Sequence, residues 1–249
     1  MRGQYALPGM KDFDLVVNTQ GRAKQRRSAL FGAHVGYRFD LPTFRLAPAV
    51  EVEGMRLAPR HDANLFNPEA SGVAHVGSSP YQALLDDPTS VVTKKYGAGL
   101  HRFSTRMRTD VGMVMFNAVF AYRSGGRFEP YAGVGFGVAR VEARRAVAYQ
   151  TNPSGPIEMT PDTHERVNHF NSRDRANDVA VAWQVKGGLR AMLTERVSAF
   201  VEYRLIRVAA TNFTFGATRY TGHAPTDPWR VKHAAMRVST GLMGIRYSL

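Results

Sequence analysis

Residues 130–142 read PYAGVGFGVARVE and alternate between two kinds of side chain. The first kind is apolar and comprises Ala132, Val134, Phe136 and Val138. The alternate positions hold one tyrosine and three glycines: Tyr131, Gly133, Gly135 and Gly137. A period of two is the spacing of a β-strand, in which successive side chains point to opposite faces. The stretch therefore predicts a strand with one apolar face and one face that leaves space for its neighbours.

The same alternation recurs along the chain and predicts an all-β protein. The predicted strands cover residues 11–18, 28–39, 44–57, 109–123, 130–142, 178–193, 197–208 and 239–249. No run of apolar residues reaches the roughly 18–20 that a membrane-spanning helix requires. We expect one domain over residues 1–249 that contains eight strands.

The lengths of the connections between these strands alternate strictly. The second and third strands, the fourth and fifth, and the sixth and seventh are joined by a few residues each. The other connections are long and polar, and cover residues 19–27, 58–108, 150–177 and 216–232. Outer-membrane barrels have short periplasmic turns and long extracellular loops. The pattern predicts an up-and-down meander with both termini at the periplasmic end.

The polarity of the two rows indicates which face meets the membrane. The apolar row carries aromatic residues near the strand ends, as in the interfacial girdles of outer-membrane barrels. The opposite row is charged or polar, and we predict that it lines the interior: His34, Arg38, Arg45, Glu51, Glu53, Lys186, Arg190, Glu202, Arg204 and Arg246. A soluble barrel would show the reverse arrangement. The prediction is a closed antiparallel eight-stranded transmembrane β-barrel with a polar interior.

Charged side chains in so narrow an interior need partners, because an unpaired buried charge is costly. The simplest interpretation is a structural network of ion pairs. A narrow gated pore and an acid–base site are the alternatives.

Three segments resemble a known family. Residues 125–142 (GGRFEPYAGVGFGVARVE) resemble a strand of the OmpA-like and opacity-type outer-membrane barrels. Residues 197–205 (VSAFVEYRL) resemble the next-to-last strand of that family, and residues 241–249 (GLMGIRYSL) resemble its C-terminal assembly signal. The last residue departs from the family, because Leu249 stands where Phe or Trp is usual. The resemblance implies a barrel in the bacterial outer membrane, in a family whose members include anchors, adhesins, small channels and lipid-modifying enzymes.

The net charge of +13 raises the question of a polyanionic partner. Nucleic acid is the first interpretation of such a charge, but no nucleic-acid motif accompanies the basic residues. The phosphates of lipopolysaccharide attract the same charge. We therefore expect contact with outer-membrane lipids and lipopolysaccharide, and no nucleic acid.

Connection 58–108 is the expected functional surface, because loops of such length are usually functional or disordered. It ends in basic residues that we predict to contact phosphates or a protein partner: Lys94, Lys95, Arg102, Arg106 and Arg108. A loop that is merely solvated is the alternative.

The sequence assigns no catalytic residue, metal ligand or cofactor. The chain has no cysteine, which excludes a thiolate metal site and a cysteine nucleophile. A lipid A deacylase would need His and Ser two residues apart on one strand face, whereas His169 and Ser172 are three apart. The pairs His61-Asp62 and His164-Glu165 have no metal-site spacing. The strands also resemble those of lipid A oxidase barrels, although no catalytic residue matches.

The expected function is therefore structural or interactive, with basic loops that contact lipopolysaccharide or a protein partner. A lipid A-modifying enzyme, of oxidase or deacylase type, and a small pore are the alternatives.

Overall fold

The computed structural model describes residues 2–3, 17–25, 28–39, 41, 44–66, 71–75, 92–96, 102–152, 155–156, 167–219 and 226–248. Over these residues the regular structure consists of strands, and every pair of strands is antiparallel. Among them no helix is long and apolar enough to cross a membrane. The predicted all-β class is confirmed.

The strands, in chain order, have the following bounds. They are β1 (Arg2–Gly3), β2 (Val17–Asn18), β3 (Ala23–Gln25), β4 (Leu30–Arg38), β5 (Leu46–Leu57), β6 (Arg60–Phe66), β7 (Ser71–His75), β8 (Val92–Tyr96), β9 (Arg102–Tyr122), β10 (Phe128–Asn152), β11 (Gly155–Pro156), β12 (Ala176–Met192), β13 (Val197–Val208), β14 (Thr211–Thr214), β15 (Arg230–His233) and β16 (Met236–Tyr247).

The main sheet is a meander that runs in the order β4-β5-β9-β10-β12-β13-β16. These strands correspond to seven of the eight predicted strands. Short turns join β4 to β5, β9 to β10 and β12 to β13, and all three lie at one end of the sheet. The predicted antiparallel meander and its alternation of short and long connections are present.

The sheet curls but does not close, in contrast to the predicted closed barrel. Within the described residues, β4 pairs only with β5 and β16 pairs only with β13, which leaves one free edge on each. The predicted first strand, residues 11–18, lies outside the described residues except for Val17 and Asn18. These two residues form β2 and pair with β1. The observed sheet is therefore a curled half-barrel with an open seam between β4 and β16.

A second sheet covers the end of the main sheet that carries the long connections. Its order is β14-β15-β1-β2, and we call it the cap sheet. Phe213, Phe215 and Trp229 of this region are buried in the same apolar core as Val111 of β9 and Met236 of β16. Arg2 and Gly3 therefore lie at the end of the long connections. The strand β16, in contrast, ends beside Val197 at the end of the short turns. The sequence had predicted both termini at the end of the short turns.

Strands also occupy much of the predicted loop 58–108. It contains β6, β7, β8 and the first residues of β9, and β6 pairs with both β9 and β3. Strands β9 and β10 stay paired up to Arg102 and Thr151, with an irregularity between Arg144 and Val147. The inner row of this extension stays buried, with Phe103 and Met107 alternating with Thr105 and Thr109, whose hydroxyls donate to the carbonyls of Ala63 and Pro59.

The interior differs between its two ends. Toward the cap sheet it is filled by apolar side chains, among them Met55, Val111, Met113, Met115 and Ala139. Toward the short turns it is filled by charged and amide side chains. The inner row is therefore polar over only half of its length.

Candidate functional site: a charged interior and a basic rim

Four glutamates form the acidic part of the interior. Glu51 and Glu53 lie on β5, Glu129 on β10 and Glu202 on β13. Each is buried, with at most 8% of its surface exposed. Period-two geometry places Glu51 and Glu53 on the inner face, while the alternating Val50 and Val52 point outward.

Lys186 of β12 is the central cation. Its Nζ lies 2.7 Å from Glu51 Oε2, 3.9 Å from Glu53 and 4.0 Å from Glu202. Glu51 also accepts a hydrogen bond from Arg246 of β16, at 3.3 Å. His34 of β4 completes this group, with Nε2 4.0 Å from Glu51.

Glu53 and Glu202 share Arg204 of β13. The Arg204 guanidinium lies 2.7 Å from Glu53 and its Nε donates to Glu202. The amides of Asn117 and Gln184 each donate to Glu53 at 3.1 Å. The second oxygen of each carboxylate and the neighbouring amides are thus satisfied within the interior.

Glu129 forms a second group nearer the short turns. Arg38 makes two hydrogen bonds to its carboxylate, at 2.7 and 3.2 Å, and Arg190 makes one at 2.8 Å. The guanidinium of Arg190 also lies over the ring of Tyr131, 5.2 Å from the centroid. This group joins β4, β10 and β12 across the curled sheet.

The interior therefore neutralises its own charges. Every buried glutamate has a cation within 4 Å, and the partners come from β4, β12, β13 and β16. A carboxylate held in this way is acceptor-saturated and poorly suited to act as a base. Of the predicted interior residues, Arg45 lies outside the network: it precedes β5, is exposed, and donates to the Tyr122 hydroxyl at 3.3 Å.

The seam between β4 and β16 opens into a cavity of about 1080 Å³. Its walls include His34, Arg38, Phe200, Leu242 and Arg246. Inner residues of the two seam strands are half-buried, whereas Gln184 and Lys186 on the central strand β12 are buried.

The outer face of the main sheet is apolar and exposed. Phe31, Val35 and Tyr37 of β4 are 73%, 75% and 65% exposed, and Met243 and Ile245 of β16 are 84% and 76% exposed. The same holds for the outer rows of the strands between them, including Val52, Phe116, Phe136, Trp183 and Val201. We call this surface the apolar band.

The height of the apolar band can be measured along β10. Its outer row is apolar from Phe128 to Val138 and changes to Arg140 at the next outward position. Eleven strand residues tilted as in a barrel span ~25 Å along the barrel axis. That is the height of the apolar belt of outer-membrane barrels, about 25 Å.

A row of outward-pointing arginines borders the band on the side of the long connections. It comprises Arg56, Arg108, Arg140, Arg144, Arg207 and Arg237, all exposed, and we call it the basic rim. Arg56 forms two hydrogen bonds to Asp110, at 2.9 and 2.5 Å, and these hold the pKa of Asp110 below its usual value. Arg144 donates to Glu142 at 2.6 Å and lowers the pKa of that carboxyl. Within the described residues, Arg140, Arg207 and Arg237 form no ion pair within 4 Å, although the charge of Arg140 also helps to lower the pKa of Glu142.

A shallow pocket of about 310 Å³ lies next to the rim. Its polar lining comprises Glu142, Arg173, Arg175, Asn177 and Asn212. Arg173 is anchored by a hydrogen bond to the carbonyl of Thr214, at 2.6 Å. Two guanidiniums and two amides give this pocket donors suited to a phosphorylated sugar.

Of the five basic residues predicted in connection 58–108, the structure describes the side chains of two. Arg106 and Arg108 are exposed on β9, and Arg106 lies 3.2 Å from Asp62. Lys94 and Lys95 belong to β8 and Arg102 begins β9, and their side chains lie outside the described residues.

His169 and Ser172 do not approach the deacylase arrangement. His169 Nδ1 lies 3.2 Å from the Thr218 hydroxyl, while Ser172 donates to the carbonyl of Ala217 at 2.7 Å. Each side chain serves the local packing of the cap.

Of the basic rim, the sequence predicted only Arg108 as a phosphate contact, although a signal for the other arginines is present. Arg56, Arg140 and Arg207 each occupy the outward position that follows an apolar row. Aligning the ends of the rows across strands would have revealed them.

Comparison with known proteins does not place the chain in a family. No protein-family model, curated protein or solved structure matches it. The interior network and the basic rim are therefore the features from which a function can be inferred.

Proposed function

We propose that the protein is a bacterial outer-membrane β-barrel whose basic rim binds the phosphates of lipopolysaccharide. Its role would be structural and interactive, at the cell surface. The observation that carries the proposal is the exposed apolar band, eleven residues tall along β10, that ends in outward-pointing arginines.

The band supports insertion into a membrane. Soluble monomers rarely expose apolar patches larger than a few hundred Å². Here the exposed row continues across all seven strands of the main sheet. In the half of the sheet nearer the short turns, charged residues lie inside and apolar residues outside, which is the reverse of a soluble barrel.

Insertion requires the seam to be filled, because an open sheet edge cannot be exposed to lipid. We assign residues 11–18 to this position, as the eighth strand between β4 and β16, with Phe13, Leu15 and Val17 facing lipid. Val17 and Asn18 would then exchange their pairing with β1 for pairing along the seam. The closed barrel would have its N-terminus at the short-turn end.

The basic rim suits the phosphates of lipid A. Guanidiniums bind phosphate oxygens through two parallel hydrogen bonds, and Arg is better matched to this than Lys. Arg140, Arg207 and Arg237 point outward at the border of the apolar band, where lipid head groups lie. The neighbouring pocket with Arg173 and Arg175 could hold a phosphate-bearing sugar.

The proposal is tested by comparing the rim with the arginines of the opposite end. The variant R140Q/R207Q/R237Q removes three rim charges, and R45Q/R127Q/R196Q removes three exposed charges at the short turns. Both are folded into phosphatidylcholine vesicles, and binding of fluorescent lipid A is measured at several salt concentrations. We expect the rim variant to bind at least tenfold more weakly with a shallower salt dependence, and the control to bind as wild type. Equal affinity for all three proteins would refute rim binding.

The two alternatives have less support. A small pore needs a continuous water path, whereas the ion pairs of Lys186, Arg204 and Glu53 cross the interior. A lipid A-modifying enzyme needs catalytic residues together at the rim, and His169 and Ser172, the pair considered for it, serve separate partners.

A further inference from the structure

Two histidines meet where the main sheet and the cap sheet come together. His61 lies on β6 and His233 on β15. Their ring centroids are 4.7 Å apart, with the rings nearly perpendicular at 78°. His61 is only 3% exposed. The two imidazoles thus face each other in a buried position outside the apolar band.

Among the residues that the structure describes, three of their four ring nitrogens find no hydrogen-bond partner. These are both nitrogens of His61 and Nε2 of His233, and all three are buried. Burying a polar group without a partner is unfavourable, so native structures seldom retain several at one place. The pair is therefore a candidate binding site.

The fourth nitrogen shows how His233 is oriented. Nδ1 of His233 lies 2.9 Å from the carbonyl oxygen of Ala234, to which its N–H can donate. This hydrogen bond leaves the lone pair on the buried Nε2. Histidines that bind metal ions usually donate their other ring N–H to a backbone carbonyl or carboxylate in this way.

The separation of the rings matches joint binding of one ion. With a metal–nitrogen distance of about 2.0–2.1 Å, two imidazoles on one ion have centroids roughly 4.5–5.3 Å apart for bond angles of about 90–109°. The observed 4.7 Å lies within that range.

We propose that His61 and His233 bind a divalent first-row transition-metal ion: Zn²⁺, Ni²⁺ or Cu²⁺. Imidazole is a preferred ligand of these ions. Burial lowers the pKa of His61 to about 4 and also lowers that of His233, so both rings are neutral at pH 7, as metal binding requires.

The remaining coordination positions belong to water or an added ligand. Among the described residues no third His, Cys, Asp or Glu joins the pair in a metal-sized cluster. Asp62 follows His61 but points to the opposite face of β6, where it lies 3.2 Å from Arg106. The site is therefore open, and its ion exchangeable.

A bound ion would connect two sheets that share no hydrogen-bonded strands. β6 pairs with β3 and β9 of the main sheet, and β15 pairs with β14 and β1 of the cap sheet. The ion would hold the cap sheet over the apolar end of the interior.

The test uses the full chain without an affinity tag, folded in detergent and stripped with EDTA. Cu²⁺ binding is followed by electron paramagnetic resonance, whose hyperfine pattern counts the coordinated imidazole nitrogens, and Zn²⁺ binding by calorimetry. We expect one equivalent of Cu²⁺ with two nitrogens. H61N and H233N should each remove one coordinated nitrogen from the Cu²⁺ spectrum and weaken Zn²⁺ binding at least tenfold. The control H34N changes a histidine of the charged interior and should leave the Cu²⁺ spectrum and the Zn²⁺ affinity unchanged.

His233 is only half-buried, so H233N should fold even if H61N does not, and the test then rests on H233N. No binding of either ion by wild type, or unchanged binding by H233N, would overturn the proposal. In that case buried water is what satisfies the three nitrogens.

Discussion

Lys186 and Glu51 meet across the interior, with Nζ 2.7 Å from Oε2, although 135 positions separate them in the chain. The side chains of both are at most 3% exposed. Lys186 stands on β12 and Glu51 on β5, three strands apart in the sheet, so the contact exists only because the sheet curls. This ion pair is thus a measure of the curled fold.

Replacing Lys186 by methionine should destabilise the protein strongly. K186M leaves Glu51 without its shortest ion pair in a buried site, and breaking a buried pair on one side costs about 3–5 kcal/mol. Urea unfolding of the detergent-folded protein measures the change.

The double variant K186M/E51Q should recover part of that stability, because it also removes the buried Glu51 charge that K186M leaves without its lysine, although Arg246 then loses its carboxylate partner. R144M is a matched control that breaks the exposed pair with Glu142, and it should change stability little. If K186M is no worse than R144M, the interior network does not stabilise the fold.

The charged interior should also block solutes. In vesicles loaded with a small neutral sugar, the wild-type protein should not speed the sugar's release, because the side chains around Glu53 and Arg204 fill the interior. Osmotic swelling measures the release. Rapid swelling that depends on the amount of protein would favour the small pore over a plugged barrel.

The seam should be bridged by the segment assigned as the eighth strand. The chain has no cysteine, so pairs of cysteines can be introduced without interference from native thiols. L15C is combined with V35C of β4 or with I245C of β16, whose side chains point outward on the two seam strands, and with V181C of β12 as control. Facing residues of paired strands lie about 4.5–5.5 Å apart.

A short bifunctional thiol reagent should therefore link residue 15 to the seam strands and not to β12. Neighbouring outward positions, F31C and M243C, cover a shift in register. Linkage to neither seam strand at any of these positions would rule out residues 11–18 as the closing strand.

The cap should loosen as the pH falls from about 6.5 to about 4. Burial lowers the pKa of His169 to about 4, and its ring packs 5.2 Å from that of Phe103 and 5.5 Å from that of Trp229. The unfolded histidine, with a pKa near 6.5, takes up its proton first, so the stability contributed by neutral His169 is present above about pH 6.5 and is lost toward pH 4. The loss amounts to roughly 3 kcal/mol.

Trp229 reports this change directly. In a W183F background its fluorescence is followed in urea between pH 7 and pH 4, for wild-type His169 and for H169N. The midpoint should fall with pH in both proteins, but less in H169N, where the lowered pKa values of His61 and His233 still contribute. Parallel curves would show that the titration of His169 does not control the cap.

Much of the main sheet could be predicted because the alternation of apolar and polar residues is visible within each strand's own sequence. In β5, Val50 and Val52 face outward and Glu51 and Glu53 inward, and this alternation is visible in the sequence alone. The charge of the inner row then implied partners, and Lys186 and Arg204 were among the residues expected there.

The extension beyond the band could not be predicted, because its strands show no apolar outer row. In β9, Arg106 and Arg108 point outward and Met107 and Thr109 inward, so the segment reads as a polar loop until its partners are known. The pairing of β6 with β9 supplies those partners and is set by the fold. For the same reason His61 and His233, on different sheets, could not be associated from their positions in the sequence.

Arg45 shows the limit of extrapolating a row past the end of its strand. It follows the same period as Glu51 and Glu53, but β5 begins only at Leu46. Before that point the chain is turning, and the side chain of Arg45 reaches Tyr122 at the surface.

The central claim is that the apolar band faces lipid, and Trp183 tests it most directly. Trp183 is 43% exposed on the outer face of β12, whereas Trp229, the other tryptophan of the chain, is 4% exposed in the core beneath the cap. Single-tryptophan proteins, W229F and W183F, are folded into vesicles of lipids brominated on their acyl chains. We predict strong quenching of Trp183 by the bromolipid, little quenching by aqueous iodide, and little quenching of Trp229 by either. Quenching of Trp183 by iodide and not by bromolipid would contradict the account, because the band would then face water.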